Sequence, residues 1–221
     1  MQRFFDIVLS SSALIIFSTV LLPLMLVLRL TGEGEVFFLQ HRVGKGGKTF
    51  KLYKFATMLK NSPNMATGTV TIKYDPRILP MGRILRTTKI NEVPQLINVI
   101  KGEMSIIGPR PQTQRCFEAY PKASQNELIR VLPGLSGIGS ILFRNEQDML
   151  REVADADEFY DNVIMPYKGM VEEWYVSHRN IFYYFLIIVT TMFVVLGLKP
   201  KLVTRLFHGL PSPPKELDRW M

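Results

Sequence analysis

The first pattern along the chain is an apolar run. Ile7 to Leu28 covers 22 residues without a charged side chain. A helix of about 20 apolar residues is long enough to cross a bilayer. Arg3 and Asp6 precede the run and Arg29 follows it, so the flanks give no clear orientation. No small-residue cleavage pattern follows, and a cleavable signal peptide fits poorly. Pro23 lies well inside the run. It has no N–H and crowds the preceding turn, which predicts a kink or break there. Ser18 and Thr19 can bond back to the freed carbonyls and ease a bend in lipid. Two topologies fit: a straight span, or a re-entrant helix over 1–31 that returns to the same side. Pro23 and the paired flanks favour the second.

The period then shortens. VFFL and TFKLYKF, separated by a Gly/Lys turn from Gly44 to Gly47, predict a β-hairpin. Lys51 and Lys54, set among apolar residues, predict a basic hairpin face. Residues 56–77 are polar and turn-rich. They predict a long loop with a short strand near Val70 to Ile72 and a turn at Asp75-Pro76-Arg77. Val93, Leu96, Ile97 and Ile100 fall at i, i+3, i+4 and i+7, one face of a helix. Asn91 suits its N-cap, and Pro94 is tolerated in a first turn. Helices over Glu118 to Val131 and Glu146 to Tyr160 flank the glycine-rich LPGLSGIGS from Leu132 to Ser140. That segment is either a plain connection or a close approach to a ligand. Trp174 and Tyr175 suit either a membrane interface or a core.

Ile181 to Leu198 is a second uncharged run of 18 residues. Spanning would carry Lys199, Lys201, Arg205, Lys215 and Arg219 across, which a basic tail resists. A helix in the interface, or buried against the first, is the better reading. The final PSPPKELDRW reads as a loose tail. The chain is therefore α+β and mostly helical. A membrane helix (1–31) precedes a globular domain (32–180) that carries the hairpin and interfacial helices. An apolar helix (181–198) and a basic tail (199–221) follow.

Charge sharpens this picture. The net charge is +8 and the pI near 9.6, which points to an anionic partner such as a membrane surface, a nucleotide or a nucleic acid. From His41 to Arg115 there are 14 Lys and Arg against 3 Asp and Glu, a balance of +11; from Cys116 to His178 there are 5 against 11, a balance of −6. The basic segment adjoins the apolar helix and holds no recognised nucleic-acid motif, which disfavours nucleic acid. Cys116 is the single cysteine. It excludes an intrachain disulfide and a Cys-based zinc site, and reads as a small buried residue. The glycine-rich turn lacks the phosphate-loop pattern.

Candidate chemistry centres on Glu92, with Arg83 and Arg86 before it and Arg110 after. A helix N-terminus offers free N–H groups and a favourable dipole for anions. A carboxylate and several arginines there suit a phosphate–metal centre, although a capped helix with an acid in its first turn explains Glu92 equally simply. Gly-Pro-Arg-Pro at 108–111 stiffens the backbone around Arg110, whose planar fork matches phosphate. Arg144 is placed to reach a nucleoside or sugar.

Four stretches carry a resemblance: the apolar helix leading to VFFLQHRVG, the segment FKLYKFATM, the block KINEVPQLINVIKGEMSIIGPRP, and LPGLSGIGS. Over roughly residues 1–180 the chain resembles the bacterial sugar transferase family, the monotopic phosphoglycosyl transferases of envelope glycan synthesis. The resemblance implies transfer of a sugar 1-phosphate from a UDP-sugar to polyprenyl (undecaprenyl) phosphate, releasing UMP, with Mg²⁺. It implies a re-entrant helix with both ends cytoplasmic, on the inner membrane of a bacterium, among membrane lipids; a homodimer is compatible with it. Arg86 and Arg110 match the family's phosphate-contacting arginines, Lys54 a basic active-site position, and Glu92 the metal-binding acid. Two departures stand out. The family's Ser-Pro helix bend aligns with Ser18-Thr19, with the proline displaced to Pro23. The family's Asp-Glu dyad, whose Asp is the proposed nucleophile, is Asn91-Glu92 here, and an amide is a poor nucleophile. Glu92 as nucleophile, direct attack in a ternary complex, and an attenuated enzyme all remain open. A rival reading is a non-catalytic membrane-surface module that binds anionic lipid or a glycan-assembly partner.

Overall fold

A computed structural model describes residues 1–65, 75–153, 155–197 and 206–220. The chain is mostly helical with two small sheets, an α+β protein as the patterns predict. Helix α1 (Gln2–Leu30) passes through Pro23 as one helix, so the expected break is not there. Ser18 Oγ and Thr19 Oγ1 bond to the Ile15 and Ile16 carbonyls at 2.6 and 3.2 Å. They do not serve the Thr19 carbonyl, which proline leaves without its helical donor. At 1.5 Å per residue α1 is about 43 Å long. Ile15, Ile16, Leu22, Leu26 and Leu30 are exposed along it.

Both ends of α1 nevertheless touch the globular part. The Arg3 guanidinium donates to the Val99 and Ile100 carbonyls, and Gln2 donates to Ser105 Oγ and the Ile107 carbonyl. Near the other end, Leu21 and Leu28 pack with Phe55 and Leu85.

Strands β1 (Phe37–Val43) and β2 (Thr49–Phe55) form the antiparallel hairpin, with Phe37 opposite Phe55 and Val43 opposite Thr49. Gly46 and Gly47 turn it at φ 70° and 72°, a region glycine enters freely. The expected basic face divides. Lys51 and Lys54 are three residues apart, so they point to opposite sides of the strand. Lys51 is exposed, while Lys54 shares its side with buried Leu52.

The strand expected at Val70–Ile72 lies outside the described residues. At the end of that loop Asp75 and Arg77 are both buried and pair at 2.5 Å, and Arg77 Nη1 also donates to the Ser62 carbonyl at 2.8 Å. Helix α2 (Pro80–Thr87) leads to Lys89, at φ 62° the one non-glycine residue with positive φ among those described. A 3₁₀ turn, Ile90–Glu92, follows, and α3 (Gln95–Lys101) starts only after Pro94. Asn91 is therefore not the N-cap. The Glu92 and Val93 N–H groups already donate to the Lys89 and Ile90 carbonyls, so the free donors expected beside Glu92 are taken.

Strand β3 (Ser105–Ile107) runs parallel to β4 (Gly134–Ser136). Its outflow, Gly108 to Pro111, lies backbone to backbone on the glycine-rich segment. A Cβ on Gly134 would stand 2.1 Å from the Gly108 nitrogen, and one on Gly137 would stand 2.2 Å from the Gly108 oxygen. These glycines serve packing. Both expected helices of the acidic half are split. Pro121 separates α4 (Gln114–Glu118) from α5 (Lys122–Leu128), and α7 (Glu146–Arg151) stops before α8 (Ala156–Phe159). Asp155 caps α8, and Asp157 and Asp161 face Arg115 at 3.7 and 3.2 Å.

The largest core joins α6 (Ile138–Leu142), α9 (Met165–His178), α10 (Ile181–Val195) and β3. Trp174 and Tyr175 are buried in it. The tail is not loose where described: Phe207 and Leu217 join this core, and Tyr167 Oη donates to the Pro211 carbonyl at 3.0 Å. Lys199, Lys201 and Arg205 lie outside the described residues. Cys116 is half-buried rather than buried.

Candidate active site

One carboxylate gathers cations from four parts of the chain. Glu92, 16% exposed, stands 3.3 Å from Arg110 Nη2 and 4.0 Å from Lys54 Nζ. Lys54 arrives on the inward side of β2. Arg110 arrives on the proline-stiffened outflow of β3, and Lys89 precedes the 3₁₀ turn. Arg86, on the last turn of α2, sets Nη1 3.3 Å from Thr57 Oγ1.

Burial raises the proton affinity of Glu92, but Arg110, Lys54 and Lys89 outweigh it and hold the group at about 2. Glu92 is therefore an anion at any physiological pH. Lys54 moves the other way. Burial lowers it to about 7, with Arg42, Arg110 and Arg86 adding to the fall and Glu92 opposing it. Near pH 7 the ammonium is poised to gain or lose its proton. The arrangement is over-supplied with positive charge for one carboxylate, so it suits a polyanion such as a diphosphate.

Asn91 is buried, and its Oδ1 has no partner. Such an orphan is rare enough to call for a ligand. Among the described residues, no three His, Cys, Asp or Glu side chains converge on a common point. Arg144 is exposed, and its charge acts on Lys89 across the opening. Arg83 is exposed on the outer side of α2.

Three contributors escaped the sequence reading. Arg42 on β1 is held down to about 10 by burial and braces the loop by donating to the Pro111 carbonyl at 3.2 Å. It lies within the VFFLQHRVG stretch but carried no separate signal. Lys89 is marked only by its left-handed backbone, which is invisible in sequence. Glu172 on α9 is fully buried, and its Oε1 accepts the Arg110 backbone N–H at 3.2 Å. Its Oε2 has no partner. Burial raises the carboxyl to about 7. In sequence Glu172 looked like one more acid of an acidic run.

Comparison with known proteins bears on this cluster. Residues 1–198 match the family model described as bacterial sugar transferase. The exopolysaccharide production protein ExoY of Rhizobium meliloti (strain 1021) is 33% identical over 175 residues, covering 73% of this chain and 77% of that protein. The UDP-glucose:undecaprenyl-phosphate glucose-1-phosphate transferase of Escherichia coli (strain K12) is 38% identical over 162 residues, 72% of this chain but 35% of that protein. The UDP-N-acetylgalactosamine-undecaprenyl-phosphate N-acetylgalactosaminephosphotransferase of Aeromonas hydrophila is 33% identical over 163 residues, 72% of this chain and 38% of that protein.

Proposed function

The chain belongs to the bacterial sugar transferase family, and on that premise we propose that it transfers a sugar 1-phosphate from a UDP-sugar to polyprenyl phosphate, releasing UMP. The observation that carries the proposal is Glu92, an ionised carboxylate held between Arg110 and Lys54 and ringed by further cations. The substrates named for the Escherichia coli and Aeromonas hydrophila relatives supply the chemistry such a cluster suits.

In this reading Arg86, Arg110 and Lys54 grip the diphosphate. An oxygen of the acceptor phosphate attacks the phosphorus that bears the sugar. The bond to the bridging oxygen breaks, and UMP leaves with the electron pair. The cations neutralise charge on the phosphoryl oxygens as it redistributes. Glu92, held near 2, is a weak base and a weak nucleophile. Its part is to fix Arg110 and Lys54. With an amide at Asn91 there is no carboxylate beside it to form a phosphosugar–enzyme adduct, which favours direct attack. The Glu92 carboxylate and the unpartnered Asn91 Oδ1 fit Mg²⁺, a hard cation that needs few protein oxygens when phosphates supply the rest. When bound, the ion adds charge neutralisation on the diphosphate. Arg144 reaches the nucleoside or sugar from the far side of the opening.

The reaction sits at a membrane surface. Contacts at both ends of α1 support a helix that enters and leaves lipid on one side, since a straight span would carry one end about 30 Å away. Helix α10, about 22 Å long, is short for a span and suits the interface. We assign the protein to the cytoplasmic face of the bacterial inner membrane. Asn91 favours a second reading, a non-catalytic module that binds anionic lipid or an assembly partner. A screen of UDP-sugars with polyprenyl phosphate and UMP detection separates the two: lipid binding without UMP release from any donor overturns the enzyme.

A further inference from the structure

A cavity of about 260 Å³ opens where α1 ends against the start of α2. Its walls are Leu28 from α1, Ala56 and Met58 from the exit of β2, and Leu79, Met81 and Gly82 around the start of α2. Apart from two carboxylates these walls are apolar. Helix and strand exit meet without slack there, since a Cβ on Gly82 would stand 2.1 Å from the Thr57 carbonyl oxygen.

The surroundings are polarised. Arg86 follows Gly82 by four residues and so lies on the same side of α2. Its Nη1 reaches Thr57 Oγ1 at 3.3 Å, between the two wall residues Ala56 and Met58. At the other rim stand Glu33 and Glu35, both engaged by Lys60: Glu33 accepts its backbone N–H, and Glu35 its ammonium at 2.8 Å. A ligand with one anionic end and one apolar end can enter only one way round. Its anion meets Arg86, its apolar part fills the cavity, and the carboxylates repel the reverse orientation. The cavity also adjoins Leu26 and Leu30, which are exposed on α1, so an apolar chain leaving it passes directly onto that helix.

We infer that this cavity holds the first isoprene units of the acceptor, with the acceptor phosphate at Arg86. The inference deepens the proposed function and rests on it. The volume is below that of a drug-sized pocket, roughly 300 Å³ and upward. It admits the head of the chain and leaves the remainder to the lipid. Acceptor selection is then made on the apolar segment next to the phosphate, apart from donor recognition around Arg110 and Arg144.

The test fills the cavity. Met58→Trp and Met81→Trp are prepared in lipid nanodiscs and compared with the unaltered protein for melting temperature and for KM of each substrate. A rise of about tenfold or more in acceptor KM is expected from lost apolar burial, with donor KM unchanged and melting preserved. Equal changes in both KM values, or none in the acceptor's, overturn the inference. A second measurement needs no turnover. A photoreactive phenylalanine analogue at Met81 is expected to crosslink to long-chain polyprenyl phosphate, with competition by short-chain polyprenyl phosphate but not by inorganic phosphate. Absence of that adduct overturns the inference even if the Trp variants fail to fold. If no donor supports UMP release while the crosslink forms, the proposed reaction falls and the lipid site stands.

Discussion

The backbone N–H of Arg110 donates to Glu172 Oε1 at 3.2 Å, while the same residue's guanidinium reaches Glu92 at 3.3 Å. A buried carboxylate behind the loop thus aims the arginine in front of it. Gly139 is part of the seat, because a Cβ there would stand 2.3 Å from Glu172 Oε1.

Glu172→Gln keeps an acceptor oxygen and is expected to retain most activity. Glu172→Ala is expected to lower kcat/KM about tenfold by releasing Arg110. In an Arg110→Ala background the further loss should vanish, since coupled residues are not additive. Steady-state kinetics on the four proteins, below their melting temperatures, check this. The carboxyl also shapes acid stability. Its folded value near 7 lies above its ordinary 4.5, so the stability it contributes is full below about 4.5 and lost as pH rises through about 7. The melting-temperature difference between Glu172→Gln and the unaltered protein should widen in favour of Gln across that window.

Asp6 predicts a different failure. Its Oδ1 accepts from Ser105 Oγ, the Ile106 N–H and Tyr184 Oη at 3.0, 2.9 and 2.9 Å. Asp6→Ala leaves buried donors without a partner and is expected to destabilise by about 2–4 kcal/mol. Tyr184→Phe, which removes one donor and leaves the other two served, is expected to cost about 1 kcal/mol. Thermal or denaturant unfolding in nanodiscs ranks them, and the reverse order would refute the knot.

Lys54 should give the donor KM a pH limb. The ammonium is protonated below about 7 and neutral above it, so grip on a diphosphate weakens as pH rises. KM for the donor is expected to be flat below about pH 7 and to climb above it. Lys54→Arg, whose charge persists, should remove the limb while the Glu172 carboxyl is left in place. A limb unchanged in that variant assigns it elsewhere.

At the Asn91-Glu92 pair, two substitutions separate mechanisms. Glu92→Gln is expected to lower UMP release by about a hundredfold or more, since it frees two cations from their anchor. Asn91→Asp should add a nucleophile. A faster reaction with a trappable phosphosugar adduct, seen by intact-protein mass, marks the native protein as attenuated; an unchanged rate without adduct fits direct attack.

Local rules reached the hairpin, because alternation, a glycine turn and strand-forming residues agreed. They also reached Arg110, because two prolines announce a fixed backbone. They missed where α3 begins. Asn91 and Pro94 both suit a helix start, and the left-handed Lys89 decided between them. Lys54 was read with Lys51 as one surface, although strand geometry sends one inward. Glu172 and the docked Phe207 were hidden for another reason. Each is defined by what lies against it, and that information is tertiary. An acid in a run of acids carries no mark of its burial, and a tail rich in proline carries no mark of the groove that receives it.

The two anchored ends of α1 have a mechanical consequence. Arg3 and Gln2 tie one end to α3 and to the strand that runs into Arg110, and Leu28 ties the other beside α2 and Arg86. Any force that tilts or shortens the lipid-embedded helix is therefore delivered to both jaws that hold the diphosphate. Hydrophobic mismatch stores only fractions of a kcal/mol per ångström, yet acyl-chain length alone should then retune turnover, making the thickness of the host bilayer a control on how fast glycan assembly begins.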